Sequence, residues 1–210
     1  MFPRSRLAIG VGAGLTIGFL ALLAIVGTTI WLVERGNSLS EQAALQRTIR
    51  IAAVELRDHL RTAESSQRGF LLTGNQIYLA PYDTSKTRAM QELDDLSRMI
   101  SPDAPNRAML PRLSEALAEK IAEMDNSIAL KTAGRDADAM ALLARNRGKT
   151  LMDEINVFLY GAILIADENS TLSSTEQQRN ASLLRWISAG GAVVIILVVF
   201  AVVLTIYRNG

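Results

Sequence analysis

The sequence predicts an all-α protein: an antiparallel four-helix bundle whose long first and fourth helices continue into two transmembrane helices. Three observations carry this. Two uncharged runs lie towards the ends, Leu7 to Val33 (27 residues) and Ile187 to Ile206 (20 residues); a hydrocarbon core of about 30 Å takes roughly 20 helical residues. Between them apolar residues recur at steps of three and four, the helical period. No proline falls between Pro3 and Pro81 or after Pro111, so no proline breaks the first or last helix.

Arg4 and Arg6 precede the first run and place the N-terminus in the cytoplasm. A cleaved signal peptide is the rival reading, but its apolar part is normally about 7 to 15 residues and ends at a small-x-small site. The run here is longer and lacks such a site, which makes it an uncleaved anchor. Gly10, Gly14 and Gly18 recur every fourth residue on one face. That spacing permits close approach of another helix, either the second span or a second copy, though glycine is common in membrane helices anyway.

The first soluble helix covers Gly36 to Thr73, with Leu45, Ile49, Ala53, Leu56, Leu60, Ala63 and Phe70 on its apolar face. From Gln67 to Tyr82 the chain reverses. Gly74 can take the left-handed conformation that closes a helix, and Asn75 can cap the next one. Pro81 is too far from Asn75 to be the first helical residue, so either a short turn precedes the second helix or that helix bends. The second helix begins near Tyr78 or Pro81, carries Met90, Leu93, Leu96 and Ile100, and is broken by Ser101-Pro102-Asp103-Ala104-Pro105.

The third runs to about Ala133 through Leu110, Leu113, Leu117, Ile121, Met124 and Ile128, with Pro111 starting or kinking it. Gly134 closes it, and Asp136 or Asp138 caps the fourth. With no further proline, the fourth helix extends from Asp136 to Tyr207, 72 residues or about 108 Å, unless Gly148 or Gly161 interrupts it. Trp186 and Tyr207 flank the second span at positions suited to interface belts. Val157 to Ala166 is uncharged but too short to span, and reads as bundle core or a helix–helix interface. The resulting organisation is a cytoplasmic tail at 1–6, a membrane helix at 7–33, an extracytoplasmic bundle at 34–186, a second membrane helix at 187–206 and a cytoplasmic start at 207–210.

Net charge is +1, and without Arg4, Arg6 and Arg208 the middle holds 19 basic and 21 acidic residues. That leaves no basic footprint for nucleic acid. With no cysteine, disulfides and thiol chemistry are excluded. Bundles often carry di-iron sites on Glu-x-x-His, but the only histidine is His59 and Leu56 stands where the glutamate would be. No phosphate loop, nucleophile elbow or zinc spacing occurs. The sequence therefore offers no catalytic residue, no metal site and no cofactor site. Glu64 and Arg68 are spaced for a helical ion pair or a ligand contact. Tyr78 and Tyr82 share a face and either line a distal pocket with Arg68 or pack in the core with exposed hydroxyls. Lys149 and Asp153 form a further pair, or an anchor between helices.

Glu64, then Gln67-Arg68-Gly69-Phe70-Leu71-Leu72-Thr73-Gly74, then Tyr78-Leu79 and Pro81-Tyr82 together form a pattern. With Gly148-Lys149, Met152-Asp153, and Glu168 with Leu172, it resembles the third class of CHASE domain, the cyclase and histidine-kinase associated sensory extracellular domain. The resemblance covers roughly Arg35 to Arg185, with Phe70 where that family often has tyrosine. It implies an extracytoplasmic stimulus-sensing input in a bacterial inner membrane, with a histidine kinase or cyclase output beyond the second span. The family-motif residues that become candidate ligand or helix contacts are Glu64, Gln67, Arg68, Gly69, Thr73, Gly74, Tyr78, Tyr82, Lys149, Asp153 and Glu168. The expected partners are the membrane, a second copy of the chain, and an unidentified extracytoplasmic ligand or protein. Two other readings share the architecture: a structural or partner-binding membrane protein, and a chemotaxis-receptor input.

Overall fold

Left-handed residues and prolines punctuate the chain into five α-helices. They are α1 (Arg4–Thr73), α2 (Tyr82–Met99), α3 (Leu110–Thr132), α4 (Asp136–Ala144) and α5 (Arg147–Asn209). The computed structural model describes the backbone at residues 4–102, 104 and 106–209, and side chains at 12, 16, 18–102, 104, 106–201, 203, 204 and 207. Among these residues there is no strand.

Gly74, at φ 70°, ends α1, and its amide donates to the Phe70 carbonyl at 2.7 Å. The Asn75 side-chain oxygen accepts from the Ile77 amide at 3.0 Å and starts a 3-10 turn over Gln76–Leu79. A short turn thus precedes the second helix, which begins just after Pro81. Arg107 closes the other end of α2 by donating to the carbonyls of Ser97 and Ile100 at 2.6 and 3.1 Å, where a cation is favoured. Pro111 sits in the first turn of α3, whose amides need no helical acceptor. Gly134, at φ 75°, ends that helix.

The expected single fourth helix is two helices. The break is neither Gly148 nor Gly161, both of which lie inside α5, but Asn146, at φ 56°. Asparagine enters this left-handed region more readily than other residues with a Cβ. The aspartates also do other work than capping: Asp136 binds Lys131 at 2.8 Å and Asp138 binds Arg135 at 2.7 Å, while the cap residue Arg135 makes no side-chain cap.

Two compact units divide the chain: Ala44–Ser170, and the residues through Ala43 together with those from Thr171 onward. In the first, α1, α2, α3 and α5 share one core. It includes Leu56 and Leu60 of α1, Leu96 of α2, Leu117 and Met124 of α3, and Ile155 and Leu159 of α5. Each is almost wholly buried, and burial of such a side chain is worth about 1.5–3 kcal/mol.

Residue pairs fix the directions. Arg50 meets Asp167 and Arg57 lies over Tyr160, so α1 and α5 are antiparallel. Arg112 meets Glu154 and Glu119 meets Arg147, so α3 and α5 are antiparallel. Glu64 meets Lys120 and Gln67 meets Ser127, so α1 and α3 run the same way. Of the expected core face, Leu45 and Met90 are exposed instead. Along Val157 to Ala166, Phe158, Leu159, Ala162 and Ala166 are core, while Val157, Tyr160 and Leu164 face outward. The short α4 covers the far end of α1, with Ala139 buried against Phe70 and Leu71.

In the second unit α1 and α5 again run antiparallel. Ser40 accepts from Gln177 at 2.9 Å, and Ile25 lies against Gly191. Gly18 lies against Val198, where a Cβ would come within 3.2 Å. Gly10 and Gly14 belong to α1, but their surroundings lie outside the described residues. This register sets Trp31 level with Trp186, both exposed. Two helices, α1 and α5, contain stretches long and apolar enough to cross a membrane. Those stretches are only 6% buried, unlike the core helix of a soluble protein.

Candidate functional site

The core face of α3 is not uniformly apolar. Leu113, Leu117, Lys120, Met124 and Ser127 follow at steps of four and three, so a lysine and a serine point inward with the leucines. On α1, Leu56, Leu60, Ala63, Gln67 and Phe70 follow the same steps and bring Gln67 inside. The two polar layers meet: Gln67 Nε2 donates to Ser127 Oγ at 2.7 Å, and Ser127 Oγ donates to the Met124 carbonyl at 2.8 Å.

One turn away lies the charged layer. The Lys120 side chain is 3% exposed; its ammonium donates to Glu64 Oε1 at 2.8 Å and stands 3.7 Å from Glu123 Oε2. Glu123 Oε1 in turn accepts from the Gly148 amide at 3.1 Å. That amide is in the first turn of α5, where helix amides lack internal acceptors and an anion is favoured. Glu123 therefore holds the start of α5 from a neighbouring helix. Glu64, Lys120 and Glu123 join α1, α3 and α5 at one point.

Beside this point is a cavity of about 200 Å³, lined by Glu64, Arg68, Lys120, Glu123, Gly148 and Lys149 among others. Arg68 binds Glu64 at 3.2 Å and Lys149 binds Asp153 at 2.6 Å; both cations are mostly exposed and stand at its mouth. Gly148 makes room for the Glu123 carboxylate, since a Cβ there would overlap it and come within 2.7 Å of the Lys120 ammonium.

The structure thus brings Glu64, Gln67, Arg68 and Lys149 together around residues that sequence reasoning passed over, Lys120 and Glu123 foremost. The Glu64–Arg68 pair forms, but Glu64 is largely buried and its nearer partner is Lys120. Tyr78 and Tyr82 do not line a pocket with Arg68. The Tyr78 ring lies on Gly69, where a Cβ would stand 2.5 Å from Cδ1. Tyr82 is buried and donates to Asp125 at 2.9 Å, and Asp125 also accepts from Lys86 at 3.0 Å. Burial and then the hydrogen bond to Asp125 push the Tyr82 phenol far above its ordinary range, so it remains a donor. Thr73 and Gly74 serve the helix end, with the Thr73 hydroxyl donating to Gly69 and accepting from the Asn75 amide. Glu168 is exposed on α5. Among the described residues no group of three or more His, Cys, Asp or Glu is placed to hold a metal ion.

This helical bundle, with its polar cleft and no catalytic domain identified in it, is a sensor domain by its family. The CHASE3 domain model matches residues 39–178, and the chain belongs to that family of extracytoplasmic sensor domains. Among solved structures, the chain is similar to the crystal structure of the Rhodopseudomonas palustris histidine kinase HK9 sensor domain. The TM-score is 0.52 at 22% identity, covering 60% of this chain and 98% of that one, a likeness of fold. No curated protein matches.

Proposed function

We propose that this chain is the stimulus-sensing input of a bacterial transmembrane signalling receptor, held in the inner membrane by residues 7–33 and 187–206. Its bundle lies outside, and a helix rearrangement passes along α5 to a cytoplasmic output such as a histidine kinase. The observation that carries this is the joint of Glu64, Lys120, Glu123 and the Gly148 amide, which ties both long helices to α3. Membership of the CHASE3 family and likeness to a histidine kinase sensor domain support it. The level pair Trp31 and Trp186, beside Arg35, suits a membrane interface. A second copy of the chain is the partner we propose for Val157, Tyr160 and Leu164, because these exposed residues carry no charge of their own and such a stripe can face itself across a two-fold axis.

A stimulus drives such a change only by favouring one of two helix arrangements. The absence of cysteine permits a clean test. Cysteine pairs at Gly18 with Val198, and at Ile25 with Gly191, report the packing of α1 on α5. Crosslinking rates should differ between the native cleft and Lys120→Met. Identical rates at every pair would overturn the reading.

A further inference from the structure

We infer that the cleft beside Lys120 takes a small zwitterion of the amino-acid class, its ammonium on Glu123 and its carboxylate on Arg68 and Lys149. This deepens the sensor reading and rests on the cleft being its input site.

The first ground is an unmet acceptor. Glu123 Oε2 is buried and accepts no hydrogen bond from any other group of the protein. Its carboxylate cannot turn away, because Oε1 is held by the Gly148 amide. Nor does Lys120 supply the bond: at 3.7 Å its ammonium is beyond hydrogen-bond reach of Oε2 and is already engaged with Glu64. Buried polar oxygens left without a donor are rare, and the natural remedy is a donor in the adjoining space. That space is the cleft of about 200 Å³ that Glu123 lines.

The second ground is the ordering of charge. Inside are Glu64 and Glu123 against Lys120, and at the mouth are Arg68 and Lys149, the latter already holding Asp153. Arg68 spends one of its nitrogens on Glu64, which leaves the rest of the guanidinium fork turned to solvent. A simple anion meets the two inner carboxylates, and a simple cation meets the two outer cations. A neutral donor satisfies Glu123 and leaves unused the donors that Arg68 and Lys149 keep beyond their bonds to Glu64 and Asp153. A molecule with an ammonium at one end and a carboxylate at the other answers both, and the volume of about 200 Å³ suits one of amino-acid size.

The test is a titration of the full chain in nanodiscs with glycine, L-alanine, L-serine, L-glutamate and L-arginine at millimolar concentration, alongside propionate and propylamine. At least one amino acid should bind saturably, and both half-molecules should bind far more weakly. Glu123→Gln should weaken binding on the order of 30-fold, the effect of removing one member of a buried charge pair. Lys149→Ala, on an exposed side chain, should weaken it without changing the fold. Failure of every amino acid to bind, equal binding of propionate, or undiminished binding to Glu123→Gln would each overturn the proposal. Binding that leaves the Gly18–Val198 crosslink unmoved supports the ligand class and overturns the signalling reading. A crosslink that responds to Lys120→Met with no amino acid bound does the reverse.

Discussion

Replacing Lys120 with methionine keeps most of the apolar stem and deletes the charge. Two carboxylates then remain, with side chains 15% exposed at Glu64 and 10% at Glu123. Breaking a buried pair by removing one partner typically costs about 3–5 kcal/mol. Here Arg68 still neutralises Glu64 from the outside and the Gly148 amide still holds Glu123, so the lower figure of about 3 kcal/mol is expected. At about 4 °C per kcal/mol for a domain of this size, the thermal midpoint should fall by about 12 °C. Neutralising all three groups as Glu64→Gln, Lys120→Met and Glu123→Gln removes the stranded charge and should recover all but about 1 kcal/mol. Circular dichroism melts of the full chain in detergent distinguish the cases. A Lys120→Met protein melting within about 2 °C of the parent would refute the account of this joint.

Three other expectations follow from neighbouring features. Gly69→Ala should destabilise the parent, because its Cβ meets the Tyr78 ring. In a Tyr78→Ala background the same change should stabilise by up to about 1 kcal/mol through helix propensity, a reversal of sign that urea denaturation would detect. At Asn146, alanine should cost about 1–2 kcal/mol at its positive φ and glycine should be tolerated, measured by the same melts. Burial and the facing Glu55 raise the carboxyl of Glu92 above its ordinary value. A folded-state value raised above the unfolded one favours folding while the acid is protonated, and that contribution is lost as pH rises through the folded value. Glu92→Gln should therefore add a few tenths of a kcal/mol at pH 7, and its advantage should vanish in acid, where both proteins carry a neutral side chain.

Much of the fold could be read from punctuation and period. Gly74, Asn75, Pro81, Pro111 and Gly134 act where local backbone chemistry demands. Asn146 escaped because asparagine is a permitted, not a required, left-handed residue, and the two glycines nearby offered a more obvious break. The cleft was half legible. Glu64, Gln67, Arg68 and Lys149 were singled out through a motif, but what they assemble around was not. Lys120 was missed because the third helix was traced through Ile121 and Ile128. Both are only partly buried, while stepping by four and three from Leu117 lands on Lys120, Met124 and Ser127. A lysine at a core step is the signal that would have found it. Glu123 carries no such mark. Its role depends on the Gly148 amide, a partner set by how α3 and α5 pack.

The grip of Glu123 on the Gly148 amide fixes where α5 begins in space by a contact, not by the chain leading into it. The stretch from Ala133 to Arg145 is thereby released from aligning what comes after. Residues could be gained or lost there at the expense of the cover over Phe70 and Leu71, while α5 kept its rotational phase. One residue inserted beyond Gly148 is a different matter, since it turns every later side chain about the helix axis by about 100°. Length variation among relatives should therefore collect before Asn146 and be scarce after it.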